Sequence, residues 1–271
     1  MAINDYYNQL QSLSEDRNKT VEQRINDAFA LKERMKPDDD VAAARYDSIT
    51  YGVLTSMLDK ENACHDYDIE MIQLLTLNAE AIINGQIERS LKDYRKAVNP
   101  LVIDGKIPFA TLELAVQRIV AALRGTVFNH DRYSILDSFI RRAAKAMDAG
   151  EKYDKNTVAE LARELYRLDN LLSIHGADDE AILKFISADE LLEIRMNPQE
   201  GVLKKDRIEY TRRWENIYYD VKDELDERFA DTPRHMGFCF EYWHAMTDLL
   251  AQKYRILWRN PHMMNPGVIF D

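Results

Sequence analysis

Residues 157–176 read TVAELARELYRLDNLLSIHG, and this stretch decides the fold. Val158, Leu161, Leu165, Leu168 and Leu172 step by three and four residues, the spacing that lines apolar side chains along one face of an α-helix. Most residues between them are charged, polar or small, so the opposite face is solvated. His175-Gly176 closes the seam, because glycine tolerates the conformation that ends a helix and histidine suits its carbonyl end.

The same period recurs outward on both sides. Thr20-x-x-Gln23, Thr157-x-x-Glu160 and Ser187-x-x-Glu190 match capping boxes. Val21, Ile25, Ala28 and Met35 form a stripe with Lys32 at its edge. After Pro37, Asp38–Asp40 suits a helix N-terminus, and Ala42, Tyr46, Ile49, Val53 and Met57 continue the pattern. Residues 68–98 read as a long, unusually apolar helix ended by Asn99-Pro100, and Leu101–Phe109 as a loop. A helix from Pro108 then carries Leu112, Val116, Ile119, Leu123 and Val127. It breaks near Gly125–Asp131; Ile135, Phe139, Ala143 and Met147 resume the pattern until Gly150. Downstream come a short helix over 178–196 and two long ones. The first, over 203–230, carries Ile208, Trp214, Ile217, Val221 and Leu225; the second, over 234–257, carries Phe238, Tyr242, Met246, Leu249 and Ile256. The expectation is an all-α, multi-helix bundle of about eight to nine helices with an extended C-terminal tail. It divides into an N-terminal bundle, 1–150, and an aromatic-rich C-terminal region, 151–271, or forms one continuous domain; Met196–Leu203 is the best candidate boundary.

Composition agrees and excludes several functions. With 9 Gly and 7 Pro among 271 residues, turn-rich β architectures lack their turn residues. There is no G-x-G-x-x-G or G-x-x-x-x-G-K phosphate loop and no G-x-S-x-G elbow. No apolar run approaches the ~18–20 residues of a membrane span. The first residues show neither the basic nor the apolar part of a secretory leader, so a soluble, cytoplasmic chain is expected. There Cys64 and Cys239 are expected as reduced core thiols. The net charge of −11 is uneven: residues 1–70 and 148–200 each carry −7, residues 71–147 carry +4, and the remainder is nearly neutral.

Motifs that could carry chemistry are few. His65-Asp66 and His130-Asp131 resemble the dyads of all-α metal-dependent phosphohydrolases, although either also reads as a helix-terminus feature. Glu241-x-x-His244 places a carboxylate and an imidazole one turn apart, half of a di-iron pattern. Glu190-x-x-Glu193 has the acid spacing that holds Mg²⁺ in helical pyrophosphohydrolases, a spacing common by chance in so acidic a chain.

The departure from randomness is aromatic. Residues 210–271 hold 12 of the 26 aromatic residues and all three Trp, where an even spread would give about half that number. Arg212, Arg213, Lys253, Arg255 and Arg259 interleave with Trp214, Trp243, Tyr254 and Trp258. Such mixtures pack helix cores, make protein–protein hot spots, or stack bases while cations track phosphates. These nine residues are the candidate partner-binding set.

The string Phe238-Cys239-x-x-Tyr242-Trp243, then Leu249-Leu250-x-x-Lys253-Tyr254-x-Ile256-x-Trp258, then Pro261-x-x-Met264-Asn265-Pro266 and Phe270-Asp271, resembles the endings of uncharacterised helical proteins of Bacteroides-type bacteria and their mobile elements. The resemblance spans about 35 residues and implies a bacterial or phage cytoplasmic setting without a mechanism. The expectation is a non-catalytic interaction or regulatory protein that binds a protein partner or a second copy of itself, with no cofactor. The alternatives are a metal-dependent all-α hydrolase of a nucleotide or phosphoester, and a nucleic-acid-binding protein.

Overall fold

The computed structural model describes residues 3–35, 40–63, 109–197 and 203–270. Among them are eleven α-helices and no strand, so the fold is all-α. The excess over eight to nine arises because Ile3–Ser14 is helical, two helices stand where one is expected over 178–196, and the tail holds a four-residue turn. No helix among these residues is long and apolar enough to cross a membrane.

Three helices open the chain: α1 (Ile3–Ser14), α2 (Val21–Glu33) and α3 (Asp40–Glu61). They pack on one another through Tyr6, Leu10, Ile25, Ala28, Leu31, Leu54 and Leu58, all essentially buried. Thr20 caps α2 through the expected box with Gln23. Arg24 is itself buried and donates to the Ser14 carbonyl at 2.9 Å and to Glu61 at 3.1 Å, tying the ends of α1 and α3 to α2. The expected 68–98 helix, the loop before Phe109, Asp38, Asp39, Cys64, His65 and Asp66 lie outside the described residues.

The next five helices are α4 (Phe109–Leu123), α5 (Asn129–Asp148), α6 (Lys155–Leu172), α7 (Asp179–Leu183) and α8 (Ala188–Met196). Leu112, Val116, Ile119 and Leu123 of α4 are buried, as are Val158, Leu161, Leu165 and Leu168 of α6. Phe109 stacks on Phe139 at 5.3 Å. Gly150 lies at φ 71°, beyond the end of α5, as its stop requires. The expected box at Thr157 does not cap α6. Asp154 does, accepting from the backbone N–H of Asn156 at 2.8 Å and Thr157 at 2.9 Å. A carboxylate one turn earlier simply takes the orphan donors first. Ser187 and Glu190 do form their box, and it starts α8, so the single helix expected over 178–196 is two. α1–α8 contribute to one continuous cluster of buried residues, from Tyr6 to Ile194.

A second cluster, from Trp214 to Trp258, belongs to α9 (Arg212–Arg228), α10 (Phe238–Tyr254) and the chain beyond them. The helix expected from 203 begins only at Arg212, after a 3-10 turn over Arg207–Tyr210. Asp206 starts that turn and Thr211 caps α9, so two N-caps in close succession replace a continuous helix. The tail contains one helical turn, α11 (Pro261–Met264), capped by Asn260. Asn265, which is buried, accepts from Lys204 N–H at 2.7 Å and donates to its carbonyl at 2.9 Å, pinning the tail to the strand-like stretch before α9.

Candidate functional site

The C-terminal aromatics separate into two sets. Trp214 and Trp258 are 2% and 6% exposed, and their rings lie 5.7 Å apart. Trp258 Nε1 donates to Glu209 at 3.0 Å, which satisfies the one polar atom of the ring. Burial pushes the Glu209 carboxyl above its ordinary value, partly offset by that bond and by the Asp206 N–H. Trp214 also packs on Tyr218, and Phe229 on Phe238 and Tyr242. Burial, with Asp226 beside it, raises the Tyr242 hydroxyl. These rings are a core, and a partner docking on the surface does not reach Trp214 or Trp258.

The cations of the region are engaged as well. Lys253 bonds Glu224 at 2.6 Å, and Arg259 bonds Asp206 through its backbone N–H at 2.9 Å and Nε at 3.0 Å. Burial tends to raise Asp206, but Arg259 and the N–H groups of Arg259 and Ile208 hold it below its ordinary value. Arg213 donates to the Tyr254 carbonyl and so satisfies the end of α10. Arg212 reaches Asp131 at 3.3 Å and Glu215 at 3.2 Å. Arg255 is exposed and holds the left-handed conformation that ends α10, at φ 56°.

The second aromatic set faces outward. Trp243 is half-buried, edge-on to Phe240 at 5.7 Å and to Phe270 at 5.1 Å. His262 packs edge-on to Phe240 at 5.3 Å, so the tail folds back on α10. The unit also exposes Leu257 (89%), Met263, Val268 and Ile269 (92%). Among the nine sequence-chosen residues, only Trp243 belongs to this open set; Leu257, Met263 and Ile269 were missed. Composition counts rings and charges, whereas exposure depends on where each helix turns its face.

The two clusters meet across a polar seam. His130, in the first turn of α5, gives its backbone N–H to Glu215 of α9 at 2.9 Å, and its Nδ1 lies 2.8 Å from the same oxygen. The Glu215 side chain is 1% exposed and accepts from Arg212, which also reaches the buried Asp131. Phe128 stacks on Tyr219 beside them at 5.5 Å. His130 and Asp131 therefore turn to different partners across a contact, and the helix-terminus reading describes their position. His244 lies on the surface 3.7 Å from Asp248, while Glu241 faces His235 at 3.5 Å instead of His244. Among the described residues no three His, Cys, Asp or Glu side chains group so as to hold a metal ion. Cys239 is a free, half-buried thiol, not a fully buried core one.

A third feature is a cleft of about 730 Å³ between α6, α8 and the link from α4 to α5. Its walls are ion pairs. Arg124 bonds Glu164 at 2.5 Å, Arg132 lies 3.4 Å from the same carboxylate, and Arg163 bonds Glu190 at 2.8 Å. Glu190-x-x-Glu193 borders this cleft, with Glu190 committed to Arg163 and to its capping box. The signal missed in the sequence is Glu160, Arg163, Glu164 and Arg167, an entirely charged stripe at i, i+3, i+4 and i+7 on the face adjoining the leucine seam.

No protein-family model, curated protein or solved structure matches the chain.

Proposed function

We propose that the chain is a non-catalytic helical interaction protein of a bacterial or phage cytoplasm, which binds a protein surface through its C-terminal unit. The observation that carries this reading is the apolar exposure of that unit: Leu257 and Ile269 stand almost fully in solvent, Met263 and Phe240 are exposed, and Trp243 lies edge-on to Phe240. Exposed apolar side chains together with aromatic anchors are the residue types that interface cores use. The unit beneath is rigidly built, with the tail pinned at Asn265 and Trp258 locked to Glu209, so little ordering opposes docking.

The pairing of Lys253, Arg259 and Arg212 with carboxylates weighs against a phosphate-tracking surface, because each guanidinium or ammonium is partly neutralised at home. The commitment of His130 and Asp131 to the seam likewise favours the interaction reading over the hydrolase.

The test is association. A photo-crosslinking residue at position 257 or 269 in the native host should capture one discrete protein, a second copy of the chain included. The purified pair should then associate in light scattering, and Leu257→Ser with Ile269→Ser should abolish association without altering helix content. A monomer that yields no crosslink from either position, or an association indifferent to both changes, contradicts the proposal.

A further inference from the structure

Phe240 and Trp243 lie one turn apart on α10 and so share a face, their rings edge-on at 5.7 Å. His262 of α11 closes a third side, 5.3 Å from Phe240. All three are fixed by the fold: two ride on a long helix, and α11 is capped by Asn260 and followed by Asn265, which is buried and bonded to Lys204. The fourth ring is Phe270, edge-on to Trp243 at 5.1 Å and 6.4 Å from His262. It completes a square of rings, each set steeply against the next, so that positive edges meet negative faces. Phe270 is held differently from the other three. Gly267 stands between it and the Asn265 pin. Among the described residues, the hydrogen bond made by residues 266–270 stays within the tail, from Val268 N–H to the Asn265 carbonyl at 3.0 Å. Pro266, Val268 and Ile269 are exposed, so Phe270 is the side chain of this stretch that turns inward.

We infer that Phe240, Trp243 and His262 form a notch that receives a phenylalanine side chain from an extended segment of a partner protein, and that Phe270 is its resident self-ligand. The inference rests on the reading of the C-terminal unit as the docking face and names what that face takes up. Phe270 shows the fit: the occupant is an aromatic ring on a stretch of chain that makes no hydrogen bond to α10. A partner's phenylalanine meets the same three walls, and aromatic rings are among the anchors that interfaces favour. Exchange of one ring for the other gives up the tether alone. That tether makes Phe270 a strong competitor, because a short link holds it at an effective concentration in the millimolar range. The tail therefore shuts out aromatic ligands that offer nothing beyond the ring and yields to a partner that makes further contacts.

The test uses the full chain labelled with 5-fluorotryptophan, whose fluorine spectrum reports Trp214, Trp243 and Trp258 separately. Phe270→Ala should shift the Trp243 signal alone, keep the helix content and melt close to the parent chain. A peptide copying residues 266–271 should then bind the Phe270→Ala chain saturably in the millimolar range and return the Trp243 signal toward its parental position. The parent chain, with its notch filled, should bind the same peptide about tenfold more weakly or not at all, and the peptide with alanine in place of phenylalanine should not bind. Loss of helix content in Phe270→Ala would make the ring a piece of the core and overturn the inference. So would a peptide that binds both chains equally, binds without its phenylalanine, or leaves the Trp243 signal where the substitution put it. None of these results alters capture from positions 257 and 269, so the notch and the wider docking reading fail separately.

Discussion

The bundle of α1–α8 and the unit of α9, α10 and the tail are both helical, yet different chemistry holds each together. The first is packed mainly by Leu, Ile, Val and Ala on period-matched stripes, with arginine–carboxylate pairs near its surface. The second also buries Val221, Leu225, Leu250 and Ile256, but it sets them around large rings whose polar atoms need partners: Trp258 on Glu209, Tyr242 on Asp226. Emptying a tryptophan site removes more buried surface than emptying one aliphatic site, and at Trp258 it also strips a half-buried carboxylate of its donor. Between them the His130–Glu215–Arg212–Asp131 seam lies beside the Phe128–Tyr219 stack.

The strongest way to break this comparison is Trp258→Ala, expected to cost about 3–5 kcal/mol, because it empties a buried ring site and orphans Glu209. Urea unfolding followed by circular dichroism should show a marked drop in stability; a change of less than about 1 kcal/mol would mean the ring is not core. Glu215→Ala comes next, about 3 kcal/mol, since it leaves His130 and Arg212 facing a buried gap. It should also draw apart the unfolding transitions of the two clusters, because it weakens the contact between them while leaving both cores intact. Ser187→Ala should cost about 1 kcal/mol through loss of the α8 cap, within the bundle alone.

A finer distinction lies in pH. Burial raises Glu209, so the stability it contributes is present below its ordinary value of 4.5 and lost as pH rises through its higher folded value. Asp206 has the opposite sign: its contribution is present above its ordinary 3.8 and lost as pH falls through its lowered folded value. Thermal melts across the acid range should therefore show Glu209→Gln gaining relative to the parent chain as pH rises, and the deficit of Asp206→Asn closing only at the acid end. Smallest of all, Leu257→Ser should change stability by no more than about 0.5 kcal/mol, since nearly all of that side chain already faces water.

Much of the bundle was legible because its signals are local. The 158–172 seam, the Thr20 and Ser187 boxes and the Gly150 stop each lie within a few residues of the structure they specify. The first helix was missed although Tyr6, Leu10 and Ser14 repeat every four residues, because no capping residue announces it. In the C-terminal unit, Trp214 stood on a stripe with Val221 and Leu225, a periodicity that fits its burial, yet its composition also put it in the partner-binding set, from which that burial removes it. Its neighbouring arginines, counted as composition, pointed outward. The seam was not legible at all: His130 and Glu215 are 85 positions apart, and no local pattern encodes a pairing of that kind.

The division of the C-terminal aromatics into a sealed core and an open rim is most directly tested by acrylamide quenching of tryptophan fluorescence. Two Trp→Phe replacements at a time leave one emitter, at 214, 243 or 258. Quenching of Trp243 should be several-fold faster than that of Trp214 or Trp258, which should emit at short wavelength and resist the quencher. Three rings quenched alike, or Trp258 more open than Trp243, would contradict a core built on Trp214 and Trp258 with its working face outside.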